Sequence, residues 1–291
     1  MKGSFLIFCS CFLISLSLPA QKTDRILTEK TNSLLKGFNG VVGVYIKDLK
    51  KNKIVSINAD TLFPTASMVK VPILLGIMDK IEKGQLQYHQ EFIYKDSLLY
   101  SGSDILGAFK NNESIELAKL IMLMLTTSDN TASLWLQSIA GTGTRINELL
   151  DSNGFQFTRV NSRTTGRQAN REAFGWGQTT PFEMAQLLEK IYEGKLISNN
   201  ASKKMLRLLG RNYWDEQAIS QIPPDIFVAS KNGAVDASRS ELLLVMAPEH
   251  PYIFCICTKQ NKDISWEDRN EAWMLAKNLS KLLWDYFGKD D

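Results

Sequence analysis

Histidine and cysteine are scarce in this chain, with two and four residues respectively among 291. Without a cluster of these ligands, the sequence predicts no metal site and no cofactor. We predict that His89 and His250 lie at the surface, because both are in polar or turn-forming stretches. A histidine-based serine triad is also excluded, since no Gly-x-Ser-x-Gly elbow is present. Cys255 and Cys257 are two residues apart in a predicted strand, which favours core positions on one face over a disulfide.

Long runs of basic residues are absent, and neither sign of charge is in large excess. The formal net charge is +3, with 22% charged and 44% hydrophobic residues. Because no Lys/Arg-rich segment is interleaved with aromatic residues, the sequence predicts no nucleic-acid partner. The composition is typical of a globular protein, and the length suits one large domain or two interlocked ones.

The one long apolar run stands at the N-terminus, over 5–18, after the basic residue Lys2. Pro19-Ala20 and a polar stretch follow it, so we predict a signal peptide over 1–20 and an exported protein, periplasmic or extracellular. The run is too short for a stable membrane span. A lipid anchor through Cys9 or Cys11 stays open as an alternative, although neither cysteine has a lipoprotein-type lead sequence.

Hydrophobic periodicity divides the remaining chain into a sheet region and a helical region. We predict strands at 40–49, 54–58, 226–231, 241–247 and 252–259, and helices at 24–38, 64–82, 114–126, 130–139, 145–153, 181–192, 201–209 and 267–287. The predicted fold class is α/β of the α+β type, an antiparallel sheet built from both termini and flanked by helices. One domain over 21–291 would then comprise a sheet subdomain, 21–60 plus 212–291, and an inserted all-helical subdomain, 61–211.

The segment Ser67-Met68-Val69-Lys70 stands where the apolar helix begins. Pro64 and Thr65 predict the helix entry, which places Ser67 in the first turn, where backbone N–H groups are unpaired. Lys70 lies one turn later on the same face, so the two side chains form a candidate nucleophile and base. The pattern is weak alone, because it recurs over 33–36 in the first predicted helix without any hydrolase context.

Two further short elements follow in order. Ser128-Asp129-Asn130 opens a predicted helix, and these residue types are common helix caps. Lys231-Asn232-Gly233 ends a predicted strand, where such a triplet ordinarily forms a turn. The three elements together, in this order and in these contexts, are far more specific than any one of them.

With these elements the chain resembles the penicillin-recognising serine hydrolases, and the class A β-lactamases in particular. Tyr100-Ser101 before the second element, Thr179-Thr180-Pro181 opening a helix, and Arg239 after the third element add to the resemblance. It covers nearly the whole chain after the predicted signal peptide, and it implies a β-lactamase/transpeptidase-like fold.

The resemblance implies a role for each member of the three elements. Ser67 would be the acylated nucleophile, Lys70 its proton acceptor, and Ser128 the relay to the leaving nitrogen. Asn130 would hold Lys70 and the substrate amide, while Lys231 would bind the substrate carboxylate. A lysine has a reference pKa of about 10.4, so its use as a base requires burial or a second cation.

The resemblance also implies a surrounding set of binding groups. The N–H groups of Ser67 and Ala234 would form the oxyanion hole, and Tyr100 would wall the cleft. Arg239 would be a second anchor for the substrate carboxylate. Asn232 stands before Gly233 where the family has threonine or serine, which changes the reach of that hydrogen bond and puts a penicillin substrate in question.

One departure from the family concerns the release of the acyl group. Class A β-lactamases use a glutamate before the Thr-Thr-Pro helix, and its position corresponds to Thr164 here. No carboxylate stands between Asp151 and Glu172. We therefore expect acylation of Ser67 but no fast deacylation by the family's route, unless Glu172 reaches the site.

The sequence thus predicts an exported serine hydrolase that opens β-lactam or related amide bonds through an acyl-Ser67 intermediate. A D-alanyl-D-alanine peptidase or esterase on the same scaffold is the first alternative, and a covalent β-lactam-binding sensor is the second. The partner would be a small β-lactam or a peptidoglycan-like substrate, and we expect a monomer. The intact set of site residues argues against a pseudoenzyme.

Overall fold

The structure is a computed structural model that describes residues 21–101 and 105–288. The predicted signal peptide, with Cys9 and Cys11, lies outside these residues. None of the described helices is long and apolar enough to cross a membrane.

Strands and helices alternate unevenly along the described chain. The strands are β1 (Lys22–Thr23), β2 (Val41–Asp48), β3 (Lys53–Ile57), β4 (Phe63–Pro64), β5 (Glu91–Ile93), β6 (Ser114–Glu116), β7 (Arg159–Val160), β8 (Gly177–Thr179), β9 (Val228–Val235), β10 (Ser238–Val245) and β11 (Tyr252–Lys259). The α-helices are α1 (Arg25–Leu35), α2 (Lys70–Glu82), α3 (Leu117–Met122), α4 (Asn130–Ile139), α5 (Thr142–Ser152), α6 (Gln168–Phe174), α7 (Pro181–Tyr192), α8 (Asn199–Leu209) and α9 (Glu271–Phe287).

The main sheet has six strands in the order β1-β3-β2-β11-β10-β9. It joins strands from the two ends of the chain, as the sequence predicted, and its pairs are antiparallel except for β1 with β3. β9 is an edge strand, so one of its sides is open for the active-site cleft.

Both faces of the sheet are covered, which explains why the central strands are nearly continuous apolar runs. Every residue of β10 is buried. Leu243 and Phe254 belong to the core formed with α1 and α9, whereas Leu242 and Cys255 belong to the core formed with the helical region. Cys255 and Cys257 are buried free thiols with their Sγ atoms 3.7 Å apart, which confirms their prediction as core residues.

The inserted region is mostly helical but not all-helical, which corrects the prediction. β4, β8 and β7 form a small antiparallel sheet, and β5 pairs with β6. α6 was not predicted either. Strands of two or three residues show too few alternations for a periodicity argument, and no residue of α6 is buried, so it has no apolar face.

Candidate active site

The nucleophile candidate Ser67 lies in a 3-10 turn, Ala66–Val69, directly before α2. Pro64 belongs to β4 rather than to the helix entry, which corrects the predicted start. The Thr65 N–H donates to the Gly177 carbonyl at 2.9 Å, which anchors the turn to β8. Ser67 therefore stands on a short, tightly tethered connection between a strand and a buried helix.

The side-chain nitrogen of Lys70 joins the first two sequence elements. Its Nζ lies 3.0 Å from Ser67 Oγ, 2.9 Å from Ser128 Oγ and 3.0 Å from Asn130 Oδ1. It also donates to the Ser128 carbonyl at 2.5 Å. Lys70 is completely buried, so this single nitrogen connects two hydroxyl groups and an amide away from bulk water.

The backbone around Ser128 explains how its hydroxyl and its carbonyl both reach Lys70. Leu123–Thr127 forms one π-helical turn, and Ser128 follows in the left-handed region with φ 63° and ψ 32°. π-helical turns and left-handed non-glycine residues are uncommon and concentrate at functional sites.

Asp129 holds this segment in place through hydrogen bonds from backbone N–H groups. Its Oδ1 accepts the Ala132 N–H at 2.7 Å and caps α4. Its Oδ2 accepts the N–H groups of Ile105 and Leu106 at 2.7 and 2.9 Å. With both oxygens on backbone donors, Asp129 is a structural residue, in agreement with the sequence interpretation.

The third element lies in the middle of β9 rather than at the end of a strand. At Gly233 a Cβ atom would lie 2.5 Å from the Thr65 carbonyl oxygen and 2.9 Å from the Ser67 nitrogen. Glycine is therefore required there for steric reasons, because β9 packs directly against the turn that carries Ser67. The same packing places Ala234 at the cleft.

Lys231 is completely buried beside this junction. Its Nζ donates to the backbone carbonyl and to the Oδ1 of Asn232, both at 3.1 Å. Burial lowers the pKa of Lys231 to about 8, and the Glu241 carboxylate opposes this shift. Glu241 is itself buried on the adjacent strand opposite Asn232, and burial raises its pKa to about 8.

Glu241 was missed by the sequence interpretation. The signal was present, because a glutamate in the apolar strand Ser238–Val245 has to be accommodated within a dry core. Its carboxyl group interacts electrostatically with Lys231, a buried lysine of the site.

Arg239 does not reach the cleft, which corrects its prediction as a carboxylate anchor. Its guanidinium carbon lies 4.5 and 4.8 Å from the ring centroids of Trp266 and Trp273. An Nη donates to the Ser265 carbonyl at 2.9 Å. Ser240, the next residue, stands opposite Gly233 instead, so the alternation of side chains along β10 turns Arg239 to the other face.

The cleft beside Ser67 is a cavity of about 710 Å³. Tyr100 lines it, as predicted, and its ring meets that of Trp176 edge-to-face at 5.0 Å. The described residues that line it are Pro64, Ala66, Ser67, Tyr100, Asn130, Ala173, Phe174, Gly175, Trp176, Ala234, Val235, Ala237, Ser238, Lys259 and Gln260. None of them is a carboxylate. Trp176 and Lys259 were not predicted, since no short motif marks either residue.

Thr164 and Glu172 both lie away from this cavity. The Thr164 hydroxyl donates to the Ser162 carbonyl at 2.9 Å, and a Cβ added at Gly143 would come within 1.8 Å of its Oγ1. Glu172 is exposed on α6, where its carboxylate accepts from Gln168 at 3.1 Å. Neither residue is in the wall of the cleft, so the structure does not bring Glu172 to Ser67.

The segment directly before Thr164, residues 156–162, is fixed by buried polar side chains, and we call it the strap. Glu183 accepts the N–H groups of residues 156–158 with its carboxylate. Asn147 exchanges two hydrogen bonds with the backbone of Val160, at 2.9 and 2.8 Å. Gln137 contacts both the carbonyl and the hydroxyl of Ser162. The position of Thr164 is therefore fixed by the core.

Comparison with known proteins adds to this geometry. A model of the β-lactamase enzyme family matches residues 26–287. The chain belongs to the β-lactamase enzyme family. It is a serine hydrolase of the β-lactamase type, and the family's reaction is hydrolysis of the β-lactam amide.

Relatives from several bacteria support the assignment over the whole chain. The chain is 25% identical to β-lactamase VEB-1 of Pseudomonas aeruginosa, over 99% of this chain and 98% of that protein. It is 23% identical to a β-lactamase of Bacteroides uniformis, over 98% and 99% respectively.

Solved structures confirm the β-lactamase/transpeptidase-like fold. PBP-A superposes with a TM-score of 0.81 at 21% identity, over 93% of this chain and 99% of that chain. The TLA-3 extended-spectrum β-lactamase superposes with the same TM-score of 0.81 at 19% identity, over 91% and 99%.

Proposed function

We propose that this protein hydrolyses β-lactam amides through an acyl-enzyme on Ser67 and that deacylation is its slow step. The observation that carries the proposal is the position of the Lys70 Nζ atom, which in its neutral amine form is a base and which contacts Ser67 Oγ, Ser128 Oγ and Asn130 Oδ1 at 3.0 Å or less. A serine hydroxyl is a weak nucleophile, and an amine within hydrogen-bond distance supplies the base that it needs.

In the acylation step the Ser67 oxygen forms a bond to the lactam carbonyl carbon, and the carbon–nitrogen bond breaks. The Ser67 proton passes to Lys70, and the Ser128 hydroxyl delivers a proton to the leaving nitrogen and is reprotonated by Lys70. No proton is gained or lost overall. The contacts of Nζ with both hydroxyl groups support this route, because both transfers pass through one nitrogen.

The oxyanion and the substrate carboxylate would be held by groups of β9 and of the nucleophile turn, the 3-10 turn Ala66–Val69 that carries Ser67. The contact at Gly233 brings β9 against the Ser67 nitrogen, which supports Ser67 and Ala234 as the two N–H donors. Lys231 would attract the carboxylate. Asn232 has its Oδ1 occupied by Lys231, so its amide NH₂ remains as a donor to the same group.

Slow deacylation is proposed from the composition of the cleft. No carboxylate is present among the described residues that line it. By the sequence resemblance, Thr164 corresponds to the family's glutamate. Among the described residues, Lys70 contacts Ser67 and is the candidate base for the water that attacks the acyl-enzyme. We propose that it serves in both steps.

A second candidate is a peptidoglycan D-alanyl-D-alanine peptidase, or a sensor that is acylated and stalls. The same missing carboxylate favours it. A leucine-to-glutamate mutant of PBP-A has been solved as an acyl-enzyme with penicillin G, and it superposes on this chain with a TM-score of 0.81. That fold therefore accommodates a covalently bound penicillin in a protein of similar shape.

We also propose that the protein is exported and acts as a monomer on small substrates. The basic residue and apolar run at the N-terminus support export.

The test is to mix the protein, produced without residues 1–20, with a chromogenic cephalosporin and to follow colour and intact mass together. We expect a mass adduct that forms within the first turnover and colour that continues slowly. Ser67→Ala should remove both signals.

The outcomes separate the candidates. An adduct without continued colour would favour the peptidase or sensor. Neither adduct nor colour, from a protein that is folded by circular dichroism, would contradict acylation of Ser67 by β-lactams.

A further inference from the structure

The cavity next to Ser67 extends mainly to one side of the nucleophile. Ser128, the relay to the leaving nitrogen, and Lys231 are not among its lining residues. Val235 and Ser238 of the β9–β10 hairpin line it instead, together with 173–176 from the end of α6. Since the leaving nitrogen is on the Ser128 side, this cavity faces the acyl substituent of the substrate.

One charged side chain, Lys259, is present among the described residues that line this cavity. It ends β11, and its Nζ donates to the Leu62 carbonyl at 2.9 Å and lies 5.1 Å from the Phe63 ring centroid. Leu62 and Phe63 directly precede Pro64, which also lines the cavity. The ammonium is therefore held at the wall by the strand that leads into the Ser67 turn.

The contacts of Lys259 leave room for a ligand. An ammonium has three N–H donors, and the Leu62 carbonyl accepts one of them. The residue is only partly buried, so its remaining donors face the cavity or solvent. The surroundings are otherwise neutral and partly apolar, with Trp176, Phe174 and Val235 in the walls. A single cation in such surroundings attracts one negative charge at a defined place.

We propose that Lys259 forms an anion subsite for the acyl substituent, so that the preferred substrates carry a carboxylate on that side of the scissile amide. This inference rests on the proposed function, because it defines the acyl side by the roles of Ser67 and Ser128. An aromatic or aliphatic body would pack between Tyr100, Trp176 and Val235, and a carboxylate carried on that substituent would meet Lys259.

The test compares benzylpenicillin with carbenicillin, which differ by one carboxylate on the arylacetyl side chain. We expect the second-order rate constant for Ser67 acylation, measured by intact mass, to be about two- to fivefold higher for carbenicillin, the range of a partly exposed ion pair. In Lys259→Met, whose side chain keeps the packing on Phe63, the ratio of the carbenicillin rate constant to the benzylpenicillin rate constant should fall to about one. Added salt should shrink the preference of the unmodified protein.

Lys262→Met is the matched control, because Lys262 is exposed, lies outside the cavity wall and carries the same charge. It should keep the carbenicillin preference. A melting temperature for each variant identifies any folding defect, and Lys259→Gln provides a second neutral replacement.

Different results would overturn this inference and the proposed function. The anion subsite alone is overturned if both penicillins acylate Ser67 and the ratio of their rate constants is the same in the unmodified protein and in both Lys259 variants. Failure of both penicillins to acylate Ser67 overturns the proposed function and the subsite with it.

Discussion

At the scale of single residues, the account depends on the Lys70 nitrogen. The Lys70→Met substitution keeps a long unbranched side chain and removes the amine that acts as the base. We expect the acylation rate constant to fall by about 10²–10⁴-fold, the range for loss of a general base. The measurement is the appearance of the Ser67 adduct by mass spectrometry.

The matched control for this prediction lies on the same helix. Lys80 donates to the Ile139 carbonyl at 2.7 Å and is not among the residues of the cavity wall. Lys80→Met should acylate at the unmodified rate. Equal rates for Lys70→Met and Lys80→Met would contradict the role of Lys70.

The pKa of Lys231 predicts a pH dependence. Because burial lowers this pKa to about 8, the lysine is charged below pH 8 and loses its charge as the pH rises through that value. Binding of a substrate carboxylate should weaken in the same interval, so acylation should decline above about pH 8. The measurement is the acylation rate constant from pH 6 to 10.

Two variants assign this decline to Lys231. Glu241→Gln removes the carboxylate that opposes the lowering of the Lys231 pKa. The decline of the acylation rate constant should therefore move to lower pH. Lys231→Arg remains charged throughout the range, so the decline should disappear. A decline near pH 8 that persists in Lys231→Arg would assign it to another group.

At the scale of elements, the site depends on the contact between β9 and the nucleophile turn. Gly233→Ala would place a methyl group 2.5 Å from the Thr65 carbonyl oxygen and 2.9 Å from the Ser67 nitrogen. Backbone atoms cannot rotate away, so the strand or the turn must shift, and we expect acylation to slow at least about tenfold. Stopped-flow acylation measures it. An unchanged rate, with intact folding by circular dichroism, would contradict this close contact.

The strap supplies a second prediction at this scale. Glu183→Gln removes the charge that accepts three backbone N–H groups of residues 156–158, and Glu183 is only 5% exposed. We expect a loss of roughly 2 kcal/mol in the free energy of unfolding, measured by urea denaturation.

Glu172→Gln is the matched control, since it is the same substitution on the exposed surface of α6. It should change stability by less than about 0.5 kcal/mol. It should also leave deacylation unchanged. Slower deacylation in this variant would identify Glu172 as the base that its position in the structure argues against.

At the scale of the whole molecule, the sequence was sufficient where patterns are long or chemically specific. Apolar runs predicted β10 and β11, and the three elements with Ser67, Ser128 and Lys231 predicted a common site through their resemblance to a known family. The short strands β4 to β8 and the polar helix α6 carry too little periodicity to be predicted. Arg239 was misplaced because a shift of one residue along a strand reverses the face of a side chain.

The family assignment and the composition of the cleft together lead to the central claim, that Ser67 is acylated and released slowly. The most direct test acylates the protein with a small excess of penicillin G, removes the free drug and follows intact mass with time. The account predicts that the adduct forms faster than it decays and is absent in Ser67→Ala. Product that accumulates without any adduct at millisecond sampling, or an adduct retained in Ser67→Ala, would contradict it.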